Sequence, residues 1–314
     1  MAHERFENAR CLVTGGAGFI GSNLVRRLLH LGAEVTVLDN LVTGKAANLP
    51  SHPRLTLVEA DLATVYGLAD LVRDARFVFH LAAQVGNLKS IEDATTDAST
   101  NVIGSIRLYQ SCRDSQVEKV VYSSSSAMFG EAVSLPVAED HPQRPESFYA
   151  LSKMAGEHYA RLAAELWSVP TVCLRYFNVY GLPMERNEYT GVISIFFEQL
   201  RRGQDLTIYG DGSQSRDFVY VSDVVEANLL AALGGSPGEA YNIGSGTRST
   251  IGQLASTMIE ITGRDVEVLH APPRRGEVRD SQADISRAAR ALGYQPRVEL
   301  AAGLGEMWNE IVGS

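Results

Sequence analysis

Apolar positions along the first 175 residues fall into two alternating rhythms. Short, β-branched, nearly continuous apolar runs predict strands at 11–14, 34–38, 55–59, 77–81, 119–123 and 170–176. Between them, apolar residues recur at helical spacing over 19–31, 65–73, 98–115 and 147–168. Strand, helix, strand in this order implies right-handed crossovers and a parallel sheet covered on both faces. The runs CLVT and FVFHLA are almost wholly apolar, as strands buried on both sides must be. The expected fold class is α/β, a doubly wound parallel sheet. After Tyr176 the rhythm breaks: loops rich in glycine, proline and polar residues (181–191, 210–216, 234–238, 271–276) alternate with helical stretches at 192–202, 222–233 and 251–262. The expected organisation is a sheet domain over 1–177, to which segments near 214–245 return, and a smaller α/β lobe over 178–314. The lobe's loops then cover the carboxyl edge of the sheet, where open α/β sheets bind ligands.

The first strand runs into Gly15-Gly16-Ala17-Gly18-Phe19-Ile20-Gly21 and then an apolar helix. Gly15 permits the tight turn, Gly18 lets backbone approach a pyrophosphate, and Gly21 lets the helix pack close to the strand. The phosphates then sit at a helix N-terminus, where free N–H groups and the dipole favour anions. The second strand leads to Asp39, 24 residues after Gly15. A carboxylate there accepts both ribose hydroxyls of an adenosine half and repels a 2′-phosphate, which selects NAD over NADP. Asp61, after the third strand, is placed either to reach the adenine amino group or merely to cap its loop.

Tyr149 and Lys153 stand four residues apart, so both project from one face of the helix at 147–168. The run SSSSAMFG places Ser125 at the sheet's carboxyl edge. A free tyrosine titrates near ~10, too high for a base at neutral pH. A neighbouring ammonium and a positive nicotinamide both favour phenolate, which then takes a hydroxyl proton while hydride leaves the same carbon. A serine hydroxyl holds the alcohol and later the carbonyl.

Composition narrows the classes further. Lys and Arg number 28 against 37 Asp and Glu, a net charge of −9, which argues against nucleic-acid or anionic-membrane partners. No apolar run is long enough to span a membrane, and the first ten residues lack the apolar core of a signal peptide. Three dispersed cysteines make no disulfide framework, so a reduced, cytoplasmic setting is expected. Seven scattered histidines show no ligand spacing, and no metal is expected.

TGGAGFIGS, LDN, HLAAQ, YSSSSAMFG, YALSK, LRYFNVYG, YGDGSQSRDFVYVSD, YNIGSG and RRGE together resemble the extended short-chain dehydrogenase/reductases acting on nucleotide sugars, and most of all the UDP-glucose 4-epimerase-like group. That resemblance implies a Rossmann domain holding NAD at Gly15, Gly18, Phe19, Ile20, Gly21, Asp39 and Asn40. Asp61 and Leu62 would lie near adenine, Ala82 and Ala83 along the cofactor, and Asn101 and Tyr176 beside it. Ser125, Tyr149 and Lys153 match the catalytic triad. Ser125, Ser126, Tyr149 and Asn178 would meet the sugar diphosphate. Arg216, in SRDF, and Arg274 with Glu277, in RRGE, resemble the groups that hold diphosphate and nucleotide ribose; guanidinium forks suit phosphate oxygens. Arg26-Arg27 and Arg201-Arg202, in helical patterns, read as solvated faces.

The 4,6-dehydratases resembled here carry Asp-Glu directly after the residue matching Ser125, and the sugar-acid decarboxylases a Glu at the second of those positions. This chain has Ser126 and Ala127. Without a base for C5, a 4-keto sugar rotates and takes the hydride back on its other face, so the expected reaction is 4-epimerisation of a UDP-hexose or UDP-N-acetylhexosamine. A 4-ketoreductase or a uronate 4-epimerase of the same fold is the alternative; a non-catalytic NAD-binding regulator fits less well, because Tyr149 and Lys153 are both kept. Phe218, Leu182 and Met128-Phe129 depart from the residues usual in the resembling epimerases. Ser281 stands where epimerases confined to plain hexoses carry a bulky tyrosine, which predicts room for an acetamido group. A homodimer is expected through the helices at 98–115 and 147–168, whose apolar stripes include Val102, Ile106, Leu108, Tyr159, Leu162, Ala163 and Leu166.

Overall fold

The computed structural model describes residues 2–183, 191–273 and 278–313. Its centre is a seven-stranded parallel sheet built from β1 (Arg10–Thr14), β2 (Glu34–Asp39), β3 (Leu55–Glu59), β4 (Phe77–His80), β5 (Lys119–Ser125), β6 (Thr171–Tyr176) and the strand Ala240–Ile243. From one edge to the other the order is Ala240–Ile243, β6, β5, β4, β1, β2, β3. The chain therefore winds one way through β1, β2 and β3, then returns to start β4 on the other side of β1. The crevice beyond the carboxyl ends of β1 and β4 is the switch point at which such sheets bind ligands. Strands β4 and β6 are buried at every residue, as their continuous apolar runs require. Edge strand β3 has no fully buried residue.

Helices cover both faces. Leu24, Val25 and Leu28 of Phe19–His30 and Val224 and Ala227 of Val221–Gly234 pack on one side. Leu108 and Tyr109 of Gly104–Cys112 and Ala160 and Ala163 of Phe148–Trp167 pack on the other. A further core joins Val192–Arg201, Ile251–Thr262 and Leu300–Gly313, where Trp308 stacks on Phe197 with ring centroids 5.9 Å apart. Two parallel pairs, Asn178–Tyr180 with Phe218–Tyr220 and Leu206–Tyr209 with Val268–Ala271, lie outside the main sheet.

The expected helix over 98–115 is not continuous. Asn87–Glu92 and Ala94–Ala98 precede it, the latter capped by Asp93, then a π-helical turn spans Ser99–Ile103 before Gly104–Cys112 begins. Such turns are frequent at functional sites, and this one carries the buried Asn101. The helix expected from 65 starts only at Leu68, because Gly67 before it is left-handed (φ +74°). Strand β5 runs two residues further than expected, to Ser125, paired with β6 as far as Tyr176. All three cysteines are buried and free. No helix among the described residues is long and apolar enough to cross a membrane, and they hold no cluster of three His, Cys, Asp or Glu suited to a metal.

Candidate active site

The glycine loop is a cradle built to be approached. Gly15 has φ +70°, and a Cβ there would sit 2.6 Å from the amide nitrogen of Ala82, at the start of the segment that leaves β4. A Cβ on Gly21 would overlap the carbonyl oxygen of Gly15. Gly18 precedes the helix Phe19–His30 with no side chain capping its first turn, so the amides of that turn remain available to an anion. Asp39 is buried at the end of β2. Its Oδ2 accepts from Ala17 N (2.9 Å) and its Oδ1 from Leu41 N (2.9 Å), which locks the carboxylate against the loop while each oxygen keeps a further lone pair. Asp61 caps its own loop, taking Ala63 N (2.8 Å) and Asn40 Nδ2 (2.7 Å). Leu62 is buried against Gly104.

Helix Phe148–Trp167 carries the candidate residues Tyr149 and Lys153. Ser147 caps it by accepting from Ala150 N (3.0 Å), and Gly156 allows contact with β5, where any Cβ would overlap the Tyr122 hydroxyl. That close approach sets Tyr149 and Lys153 beside the end of β5, with the Ser125 hydroxyl near enough to the Tyr149 phenol to act on its titration. Lys153 is fully enclosed: its Nζ lies 3.4 Å from Ser123 Oγ and 4.5 Å from the centre of the Tyr122 ring. Burial drives the Lys153 ammonium down to about 7, with Asp97, Cys173 and Glu157 opposing that fall. Burial also raises the Tyr149 phenol; the neighbouring Ser125 hydroxyl lowers it, and Asp97 raises it further. The expected depression of the tyrosine is therefore not a property of the chain's side chains alone, since desolvation outweighs them. A lowered phenol would require a further positive charge nearby.

Behind Ser125, Tyr149 and Lys153 lie two residues read from the sequence as beside the cofactor, Asn101 and Tyr176, and several that escaped the sequence reading. Asn101 is buried and faces neighbours on three elements: its Oδ1 accepts from Gln84 N (2.8 Å), and its Nδ2 donates to Gln84 O, Asp97 Oδ2 and Ser152 Oγ. It thus fixes the Ala82-Ala83-Gln84 segment rather than offering its amide to the crevice. Tyr176 likewise turns its hydroxyl away, onto Asn228 Oδ1 (3.0 Å). His80 is buried between Thr14 Oγ1 and Ser105 Oγ, 2.8 Å from each, and desolvation lowers it to about 3, so it is neutral. Arg175 forks onto Glu157 (2.6 and 3.1 Å), whose other oxygen takes the hydroxyl of Ser124 (2.6 Å), one residue before Ser125. The signals were present: a lone arginine inside the apolar run of β6, and Glu157 four residues beyond Lys153 on the same helix face.

On the lobe side, Asp217 is fully buried and accepts from Ser245 N, Ser245 Oγ, Gly246 N and Ala283 N at 2.6–3.0 Å. It ties together the loops that carry Arg216, Asn178 and Ser281. Asn178 Nδ2 donates to Asp217 O (3.2 Å), Arg216 Nη1 to the carbonyls of Ser215 and Arg279, and Ser281 N to Ser215 O. Ser125, Ser126, Asn178, Arg216 and Ser281 are all part-exposed. Arg274 and Glu277 lie outside the described residues. Arg201 and Arg202 pair with Glu198 at the surface, and Arg26 is exposed, as their helical spacing predicts.

A family model for the NAD dependent epimerase/dehydratase family matches residues 11–244. The chain belongs to that family. Over 303 residues it is 39% identical to the UDP-glucose 4-epimerase of Mycolicibacterium smegmatis, covering 95% of this chain and 96% of the relative. A solved UDP-N-acetylglucosamine 4-epimerase from Methanobrevibacter ruminantium, in complex with UDP-N-acetylmuramic acid, superposes with a TM-score of 0.94 at 33% identity, covering 98% of this chain and 99% of that one. The UDP-glucose 4-epimerase of Thermotoga maritima, solved with UDP-glucose, gives 0.92 at 38% identity over 97% and 100%. By class this family member is an NAD-dependent nucleotide-sugar epimerase, an isomerase, and its cofactor is NAD. Its residues fit that cofactor: the glycine cradle has no space for a single Cβ at Gly15 or Gly21, and the Asp39 carboxylate is held at the end of β2.

Proposed function

We propose that this protein is a nucleotide-sugar 4-epimerase acting on UDP-hexoses and UDP-N-acetylhexosamines. The observation that carries the reading is the Ser125–Tyr149 pair beside Lys153, followed by two residues, Ser126 and Ala127, with no acid. The next glutamates along the chain are engaged elsewhere, Glu131 with Arg279 N (2.8 Å) and Glu139 with Asn242 N (2.9 Å). Bound NAD supplies the hydride acceptor, and later the donor, at C4. Ser125 holds the C4 hydroxyl, Tyr149 takes its proton, and Lys153 favours the phenolate by its charge. Neither residue after Ser125 offers a carboxylate for C5, so the 4-keto sugar turns over and Tyr149 returns the proton to O4 as hydride comes back to the opposite face. The cofactor unit in this reading is 1–177, joined by segments near 214–245, with 178–314 as the nucleotide-sugar lobe. Asn178, Arg216, Arg274 and Glu277 hold the diphosphate and nucleotide ribose.

Ser281 leaves space at C2 of the sugar for an acetamido group. A panel of UDP-sugars with product separation tests this: wild type should convert both UDP-glucose and UDP-N-acetylglucosamine. Ser281→Tyr should lose the acetamido sugar while keeping the plain hexose, because overpacking is the one change made. Conversion of plain hexoses alone by wild type, or an unchanged ratio in the variant, would refute the reading.

The assembly proposed is a homodimer. Phe148, Leu151, Tyr159, Leu162 and Leu166 are all exposed, as is Ile103, and the five on Phe148–Trp167 fall on one stripe of that helix. Leu108 and Ala163, expected in the same stripe, instead pack under the sheet. The exposed stripe is the surface a second copy would cover.

A further inference from the structure

Asp217 is fully buried and so out of a substrate's reach, yet Asn178, Arg216 and Ser281 are all placed through it. Its Oδ1 accepts from Ser245 N (2.6 Å) and Ser245 Oγ (2.8 Å), and its Oδ2 from Gly246 N and Ala283 N, 3.0 Å each. All four are donors, the surroundings an ionised carboxylate requires. Burial raises the Asp217 carboxyl, and these same hydrogen bonds pull it back down. Its main-chain oxygen accepts from both Asn178 N (3.0 Å) and Asn178 Nδ2 (3.2 Å). Arg216 is its chain neighbour. Ser281, whose N donates to Ser215 O (3.1 Å), stands two residues before Ala283.

No ladder or helix sets the spacing of the segments joined here. Residues 244–248 and 278–285 belong to no helix and, apart from single bridges at Asp280 and Ala283, to no strand. Ser215–Arg216 is a strand of two residues. Segment 244–246 leaves the carboxyl end of Ala240–Ile243, the edge strand of the main sheet, whereas Arg216 and residues 281–283 lie on the lobe side. The carboxylate is thus the joint that fastens the lobe's loops to the carboxyl edge of the sheet. The joint is close-packed: a Cβ on Gly244 would sit 2.8 Å from Asp217 Oδ2 and 2.7 Å from Ala283 Cβ.

We propose that Asp217 is a positioning residue for nucleotide-sugar binding: its carboxylate sets the spacing of Asn178, Arg216 and Ser281, and with it the affinity for a nucleoside diphosphate. The proposal rests on reading Asn178 and Arg216 as groups that hold the diphosphate. Polar groups held in place before a ligand arrives need no further ordering when it binds, which raises affinity. None of the hydrogen bonds of Asp217 reaches Ser125, Tyr149, Lys153 or the glycine loop. Its loss therefore falls on nucleotide affinity, with cofactor retention and the chemical step spared.

The test titrates UDP, as the probe, into the NAD-loaded protein by calorimetry at a temperature well below melting. Asp217→Asn keeps the volume but turns an N–H₂ toward donors that need an acceptor. It should weaken UDP binding by about tenfold or more, as loss of hydrogen bonds to a charged group does, with NAD content at the wild-type level. With a UDP-sugar, KM should rise likewise while kcat at saturation stays within about threefold. Arg216→Ala should also weaken UDP, and adding Asp217→Asn to it should cost less than in wild type, because part of the effect runs through Arg216. UDP affinity unchanged in Asp217→Asn would overturn the proposal. NAD lost in step with UDP, or additive single and double variants, would overturn it too and leave Asp217 a structural residue. If Asp217→Asn does not fold, Ser245→Ala removes one of the four donors and should weaken UDP about two- to fivefold; an unchanged affinity there overturns the proposal. Wild-type affinity in Arg216→Ala would instead show the reading of the diphosphate site to be wrong, and the proposal would fall with it. Because UDP binding is read without turnover, its outcome is separate from whether the reaction is 4-epimerisation.

Discussion

Replacing Glu157 by Gln removes half of a charge pair that holds the floor of the site. The side chains of Glu157 and Arg175 are 9% and 6% exposed. Arg175 makes three contacts within 3.1 Å to the two carboxylate oxygens, donates its Nη1 to Glu139 O (2.7 Å), and lies 5.2 Å over the Phe129 ring. A glutamine keeps the volume but presents one neutral oxygen and one N–H₂, so the guanidinium stays buried without its counter-charge. Breaking a buried pair from one side costs about 3–5 kcal/mol, whereas replacing both partners by apolar residues of similar volume is often close to neutral. Glu157→Gln should therefore destabilise by that amount, and Glu157→Leu/Arg175→Met by clearly less than the two single changes summed. At roughly 2 °C per kcal/mol for a chain of this size, the melting midpoint should drop by about 6–10 °C. Catalysis should suffer as well. Ser124 loses the acceptor that pins the end of β5, and a drift of about 1 Å at the adjoining Ser125 is worth up to ~10²-fold in rate. Urea and thermal melts followed by circular dichroism, with kcat measured alongside, check both effects. A Glu157→Gln protein within about 1 kcal/mol of wild type, or additive single and double variants, would refute the idea that the pair stabilises by mutual charge compensation.

Tyr149→Phe should abolish turnover while leaving bound NAD at wild-type content, and Ser125→Ala should cost about 10²–10³-fold, because it removes one donor to the developing charge on O4; wild-type rates in Tyr149→Phe would end the acid–base assignment. His80 is neutral in the folded protein down to about pH 3, while an unfolded histidine takes a proton near 6.5. Its contribution is thus complete above pH 6.5 and is lost as pH falls toward 3, on the order of a few kcal/mol, and His80→Gln should flatten the pH dependence of the urea midpoint in that window by about one proton. Light scattering at micromolar concentration should give a dimer mass, and Leu162→Glu with Leu166→Glu should give a monomer with its fold intact; a monomeric wild type would rule the helix-face dimer out.

Strands β1, β4 and β6 and the glycine turn were legible in the sequence because a strand buried on both faces leaves a continuous apolar run, and because close backbone approach admits glycine alone at Gly15 and Gly21. The four-residue spacing of Tyr149 and Lys153 was equally plain. What periodicity could not show is where a helix breaks for a purpose: the π turn at Ser99–Ile103 aims Asn101 at Gln84, Asp97 and Ser152, and nothing in the apolar pattern marks it. Nor does periodicity show which polar residues go inside. His80 sat within an apolar run and read as strand, while Asp97 looked like one acid among several polar neighbours. Burial of His80 depends on Thr14 and Ser105 from distant parts of the chain, and that of Asp97 on Asn101 one helical turn away, itself tied to Gln84 and Ser152. The Tyr149 phenol shows the same limit in energy terms: spacing places the lysine, but desolvation decides the sign of the shift.

In the proposed reaction hydride leaves C4, stays with the resident cofactor and returns to the same carbon. UDP-glucose carrying deuterium at C4, incubated with purified protein and no added nucleotide, tests it most directly. The product should be UDP-galactose with the deuterium retained at C4 and no solvent hydrogen incorporated there, and NAD(H) should be released when the protein is denatured. Loss of the label to solvent, a strict need for added NADPH, or recovery of NADP(H) from the denatured protein would contradict it.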